Sequence, residues 1–128
     1  MPANTLEVKS HLILAKQFLA AGLMAVADGH NNAVATLAVN AVIHVKDAIC
    51  LFEFGQNHRN LSHEQAGKQL ASIPKIGGKL NATYSRVIAI KNQVEYSGAL
   101  VSESTATQAL NRTQGLVELV SLHILSRM

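Results

Sequence analysis

A chain of 128 residues with a formal net charge of +3 is long enough for one domain with its own hydrophobic core. Its one cysteine, Cys50, excludes an internal disulfide and favours a reducing, cytosolic setting. No uninterrupted apolar run approaches the roughly 18 residues of a membrane span, so a spanning segment is not expected.

Apolar residues recur with a helical period along the chain, which predicts an all-α fold. The first helix is expected to follow Asn4 and to run to about Ala27, with Gly29 in the left-handed turn that ends it. The asparagines after this turn suit the N-cap of the next helix. A second helix, over about residues 33–54, is apolar on nearly all sides, which is typical of a central element.

The polar exceptions on this second helix share one face. They are spaced four, four and three residues apart: Thr36, Asn40, His44 and Asp47. Such a stripe has two interpretations. It faces solvent or a polar interface between subunits, or it lines a cleft.

The second half of the chain predicts one short and two longer helices. Ser62 and Gln65 fit a capping box that begins the third helix, which must stop before Pro74. A connector over 74–79 then leads to a fourth helix over about residues 80–96, and a last helix runs from near Ser102 to about residue 124. Short loops between these helices favour an antiparallel up-and-down bundle of four long helices plus one short helix.

Motifs for metal and hydrolytic chemistry are missing from the sequence. The histidines lack the paired spacing of zinc sites, and the Glu-x-x-His pairs of di-iron bundles do not occur. There is no G-x-S-x-G elbow and no H-E-x-x-H helix. We therefore expect no metal and no cofactor, and interpret His63 as a first-turn residue of the third helix.

Positive charge is concentrated in the middle of the chain. Between Arg59 and Lys91 there are six basic residues and one acidic residue, a local charge of +5. This segment can attract nucleic acid, a nucleotide or an acidic partner, or it can be a solvated helix surface.

The end of the fourth helix combines charge, amide and phenol on one side. Lys91, Asn92, Glu95 and Tyr96 fall within one arc of about 140° on a helical wheel. Lys91 interrupts an apolar stripe, so its stem is expected to be covered while its ammonium finds a partner. If the second and fourth helices pack together, Asp47 or Glu95 would supply that countercharge.

The order and spacing of four segments resemble the HEPN family, and most closely its small actinobacterial stand-alone members. The segments read "AVNAVIHVKDAICLF", "SHEQAGKQL", "LNATYSRVIAIKNQVEYSG" and "TATQALNRTQGLVELV". The resemblance covers about residues 5–124 and implies a single HEPN-like helical domain over 1–128.

Catalytic HEPN proteins carry an arginine, usually a polar residue next, and a histidine after four to six positions. Two protomers bring these groups together to cleave RNA without a metal, using the ribose 2′-hydroxyl as nucleophile. On this pattern Lys91 stands at the arginine position, Asn92 follows, and Tyr96 stands at the histidine position. Lysine lacks the planar fork that holds phosphate, and tyrosine is a poor base at neutral pH. Only three residues separate Arg59 from His63, so this pair is not taken as a substitute.

The resemblance implies a homodimer and a non-catalytic binding module in the cytoplasm, without a membrane association. Its ligand would be RNA or a nucleotide, bound by Lys91, Asn92, Tyr96, Asp47 and Arg59, or a partner protein such as a nucleotidyltransferase or antitoxin, as in toxin–antitoxin pairs. Two alternatives stay open: a metal-independent endoribonuclease with a variant Lys-Asn…Tyr site, and a purely structural dimerisation domain.

Overall fold

The computed structural model describes residues 5–55 and 62–127, which form helices joined by short connections. The helices are α1 (Thr5–Ala27), α2 (Asn31–Phe54), α3 (His63–Ala71), α4 (Gly77–Ile88), α5 (Lys91–Glu95) and α6 (Glu103–Leu125). All regular structure within these two ranges is helical, which confirms the all-α class.

Helix α2 is the centre of the core. It packs most extensively on α1 and α6, and it also contacts α3, α4 and α5. Its buried side chains are small, chiefly valines and alanines, so neighbouring helices can approach closely. Helices α1 and α6 also approach each other closely at Gly22 of α1, where a Cβ atom would lie 2.7 Å from a methyl carbon of Leu110 of α6. A larger residue at this position would require the Leu110 side chain to turn aside.

Several helix ends lie where their capping residues predict them. Gly29 and Gly55 adopt positive φ angles of 72° and 78° after α1 and α2. Ser62 and Gln65 form the predicted capping box, with reciprocal bonds of 3.1 Å and 2.9 Å. Ser102 caps α6 by accepting a bond from the Thr105 amide. The expected cap at Asn4 lies outside the described residues.

The start of α2 differs from expectation. His30 occupies the N-cap position without a side-chain cap, and the helix already begins at Asn31. The side-chain amide of Asn32 instead bonds to the connection before α6. Its Nδ2 atom donates to the Ala99 carbonyl and its Oδ1 atom accepts from the backbone amide of Val101, both at 2.9 Å. Asn32 thus holds the connection before α6 against the start of α2.

The prediction of one continuous fourth helix over residues 80–96 is wrong, because the structure has two helices there. Helix α4 begins earlier, because Gly77 and Gly78 form its first turn, and it ends at Ile88. The Ile90 amide then bonds to the Val87 carbonyl three residues back, which closes a tight turn before α5 starts. The β-branched residues around this turn have reduced helix propensity, so the apolar period alone does not keep the helix intact.

Two helices have a length and composition that a membrane span could have, a test that the core helix of a soluble protein also passes. By length and composition alone, α1 and α2 are each long and apolar enough to cross a bilayer. Of the apolar window in α2, 72% is buried inside the domain, as for the core helix of a water-soluble protein. The corresponding share for α1 is 17%, so much of this helix is exposed.

Candidate functional site

A histidine, a tyrosine and a lysine from three helices meet at one edge of the domain. His63 begins α3, Tyr84 lies on α4 and Lys91 begins α5. The Nδ1 atom of His63 is 2.9 Å from the Tyr84 hydroxyl, and its Nε2 atom is 3.4 Å from the Lys91 Nζ. We call these three residues the His–Tyr–Lys cluster. It joins a buried phenol ring to two side chains that reach the surface.

The chemistry of lysine assigns the tautomer of His63. An ammonium group only donates hydrogen bonds, so the Nε2 atom that faces Lys91 must accept. The ring proton then lies on Nδ1 and is donated to the Tyr84 oxygen. In agreement, partial burial lowers the pKa of His63, and the positive charge of Lys91 lowers it further. At neutral pH the cluster presents a neutral imidazole beside a cation.

A buried ion pair lies behind this cluster on α2. The Nζ atom of Lys46 is 2.6 Å from the Oδ1 atom of Asp47, and both residues are buried. Burial raises the pKa of Tyr84, and the charge of Asp47 adds to this effect. Burial likewise raises the pKa of the Cys50 thiol to about 12. Neither of these two groups is a nucleophile at neutral pH.

The residues predicted for the site differ in burial and in their hydrogen bonds. Lys91 is half-buried within the His–Tyr–Lys cluster, and Asp47 is buried on α2. Asn92 is exposed, and Tyr96 is 73% exposed at the end of α5. Neither of their side chains forms a hydrogen bond within the two described ranges. Arg59 lies outside the described residues.

The partner of Lys91 in the structure is not the carboxylate that the sequence predicted. Asp47 pairs with Lys46, its neighbour in the sequence, whose stem is buried on the same helix. The hydrogen-bonding partner of Lys91 is instead His63, and Glu95 acts on His63 by raising its pKa. His63 is therefore the residue that the sequence analysis missed. Its place in the first turn of α3 was predicted, but its contacts to α4 and α5 were not.

A second pair of titratable groups links α1 to α2. The Nδ1 atoms of His11 and His44 are 2.9 Å apart, and Phe18 stacks on the His44 ring with an angle of 9° between the planes. Burial lowers the pKa of His44, and its neighbour His11 lowers it further. His44 belonged to the predicted polar stripe, whereas His11 was not singled out. Its position three residues after the buried Val8 was the one signal available.

No family model, curated protein or solved structure matches this chain. The HEPN resemblance accordingly stays a prediction from the sequence. The properties of the site rest on its own geometry.

Three exposed cations lie on α4, the helix that carries Tyr84, or just before it. Lys75, Lys79 and Arg86 are exposed and form no ion pair within residues 5–55 and 62–127. Lys79 and Arg86 are seven residues apart on α4, so they lie on nearly the same face about 10 Å apart along the helix axis. We call Lys75, Lys79, Arg86 and Lys91 the basic surface.

A separate cleft of about 490 Å³ opens between the start of α1 and the ends of α2 and α6. Its walls are apolar, with Leu12, Phe52 and Ile124 among the lining residues, and Lys9 and Lys16 also line it. The Ser121 hydroxyl, which also lines the cleft, is buried without a hydrogen-bond partner in the described part of the chain. The cleft is formed by α1, α2 and α6, whereas the basic surface lies on α4, α5 and the connection before α4.

Proposed function

We propose that this protein is a non-catalytic, HEPN-like helical module that binds RNA or a nucleotide through the basic surface. The observation that carries the proposal is the set of exposed cations on α4 and its flanks without carboxylate partners among the described residues. Phosphate groups are the ligands that unpaired lysine and arginine side chains favour. The few aromatic residues of the chain favour contacts to the phosphate backbone over base stacking.

The same proposal includes the finer architecture and setting. The helices form an antiparallel up-and-down bundle, two copies form a homodimer, and the protein works in the cytoplasm. A protein partner, such as a nucleotidyltransferase in a toxin–antitoxin pair, is the alternative ligand of the basic surface. It would be indicated if RNA and nucleotides do not bind.

One observation favours a second function, a metal-independent endoribonuclease. His63 supplies the imidazole that the Lys-Asn…Tyr pattern lacks, and its acceptor nitrogen is 3.4 Å from Lys91. A neutral imidazole can take the proton of a ribose 2′-hydroxyl, and an adjacent ammonium can stabilise charge on the phosphate. Lys91 would have to release Nε2 for this step, which a long hydrogen bond permits.

One experiment tests both functions. Fluorescein-labelled single-stranded RNA is titrated with protein in EDTA at about 50 and about 200 mM salt, and a mononucleotide serves as competitor. We expect binding that weakens with salt. The double variant Lys79→Ala/Arg86→Ala should bind more weakly, with a salt slope that is shallower by about 1.4 because two phosphate contacts are lost. The matched control is Arg112→Ala, which removes an exposed arginine from α6.

The same samples are run on a denaturing gel. Intact RNA agrees with the binding function, whereas cleavage that disappears in His63→Ala, Lys91→Ala and Tyr96→Phe but persists in His30→Ala would establish the second function. Binding that is absent at the lower salt concentration, or equally weakened by Arg112→Ala, contradicts the proposed basic surface.

A further inference from the structure

We propose that His11, His44 and Asp47 form a binding site for a divalent transition-metal ion of the Zn²⁺ class between α1 and α2. One ligand atom from each of the three residues lies within 4.8 Å of the other two. The Nδ1 atoms of the two imidazoles are 2.9 Å apart. This site uses residues apart from the basic surface, so it does not depend on the function proposed above.

The distances fit a metal ion after small side-chain movements. In a tetrahedral zinc site, bonds of about 2.0–2.1 Å place two nitrogen ligands about 3.4 Å apart. The observed 2.9 Å between the Nδ1 atoms would have to open by a few tenths of an ångström. It already equals the separation of about 2.9 Å between adjacent ligands of an octahedral ion with bonds of that length.

The donor set selects the class of ion. Two imidazoles and one carboxylate suit zinc and its neighbours in the first transition series. Calcium and magnesium prefer oxygen ligands, so two imidazole nitrogens disfavour them. Three protein ligands leave at least one coordination position for water or for an external ligand.

The surrounding residues hold these ligands in place. His44 and Asp47 are three residues apart on α2 and share one face, while His11 reaches them from α1. Phe18 stacks on the His44 ring and restricts its orientation. Between the two rings, the bound ion would replace the hydrogen bond that now joins the two Nδ1 atoms.

Lys46 is the competitor for this site. Its Nζ atom is 2.6 Å from Asp47, so the carboxylate must turn from the ammonium to reach the ion. A cation nearby also opposes a second positive charge. Lys46→Met should therefore strengthen metal binding, in contrast to the changes that remove a ligand.

The test uses the full chain, freed of metal with a chelator and then titrated with Zn²⁺ in a calorimeter. We expect one ion per chain in the wild type. His11→Phe keeps an aromatic ring against His44 but removes the nitrogen donors, and it should weaken binding by at least about tenfold, since even changes outside the ligand shell cost that much. Asp47→Asn should weaken binding as well. The matched control is His30→Phe at an exposed histidine, which should bind as the wild type does.

Nuclear magnetic resonance of the histidine rings gives a readout that needs no variant. Zn²⁺ should shift the ring resonances of His11 and His44 in proportion to the added ion and leave His30 unchanged. The proposal is overturned if the wild type does not bind Zn²⁺, if His11→Phe binds as tightly as the wild type, or if the shifts fall on other histidines.

Discussion

His63 shows how the environment of one residue decides its chemistry. Partial burial and the nearby charges of Lys91 and Lys46 lower its pKa, whereas Glu95 raises it. These influences come from α2 and α5, although His63 itself begins α3. The imidazole of His63 is consequently less protonated than that of an isolated histidine at the same pH.

We predict opposite shifts of the His63 pKa for two substitutions on α5. Lys91→Met removes a positive charge and should raise the pKa, while Glu95→Gln removes a negative charge and should lower it. Titration of the His63 ring resonances by nuclear magnetic resonance measures both shifts. Shifts of the same sign in the two variants would contradict the charge assignment.

The same lowered pKa makes stability depend on pH. Above about pH 6.5 His63 is mostly neutral in both the folded and the unfolded chain, so its contribution is constant. As the pH falls below that value, the unfolded chain takes up the proton first, and the free energy of unfolding declines. In His63→Gln this part of the decline should be absent.

At the scale of single residues, sequence spacing revealed only part of the site. The capping box placed His63 at the start of α3, since Ser62 and Gln65 interact locally. The contact between His63 and Tyr84 joins residues 21 positions apart, and that between His11 and His44 joins residues 33 apart. Such contacts depend on how the helices pack, which no local pattern specifies.

At the scale of elements, the junction between α3 and α4 requires a glycine at one position. A Cβ atom on Gly77 would lie 2.5 Å from the carbonyl oxygen of Ala71 and 2.7 Å from that of Leu70. Both atoms belong to the backbone, so they cannot turn aside as a side chain would. The next residue, Gly78, has open space around the same position.

We predict that Gly77→Ala lowers the free energy of unfolding by about 1–3 kcal/mol, because the end of α3 must move to admit the methyl group. Gly78→Ala is the matched control in the same first turn of α4. It should leave stability unchanged or raise it by up to about 1 kcal/mol, since alanine is the better helix former. Urea unfolding of the two variants and the wild type measures the difference. Equal effects of the two substitutions would show that the close approach is relaxed in solution.

Helix ends were predicted better than helix continuity. Capping residues act over three or four positions, so the ends at Gly29, Gly55 and Ser102 follow from local chemistry. The break between α4 and α5 was missed because apolar residues continue with a helical period across Ala89 and Ile90. A single tight turn ends α4 without interrupting that pattern.

At the scale of the whole molecule, α1 exposes an apolar face. Leu6, Ile13 and Met24 are 77%, 56% and 73% exposed. They are seven and eleven residues apart, so they lie within about 20° of one another around the helix. A row of exposed apolar side chains on one helix is typical of a surface that another chain covers.

We predict that this face joins two copies of the protein in the proposed homodimer. Ile13→Glu/Met24→Glu should shift the protein towards the monomer in sedimentation equilibrium, because charged groups would have to be buried in the contact. Leu100→Glu changes an exposed apolar residue outside the helices and should leave the association unchanged. A wild-type protein that stays monomeric at all concentrations, or a double variant that still dimerises, would contradict this arrangement.

The position of Cys50 allows the opening of the hydrophobic core to be followed by the reactivity of its thiol. Its thiol is the only one in the chain, and it lies fully buried near the C-terminal end of α2. A thiol-specific dye can reach the sulfur only after α2 separates from its neighbours, and the raised pKa slows the reaction further in the closed state. The rate of labelling therefore measures how often the core opens under native conditions, without an engineered cysteine.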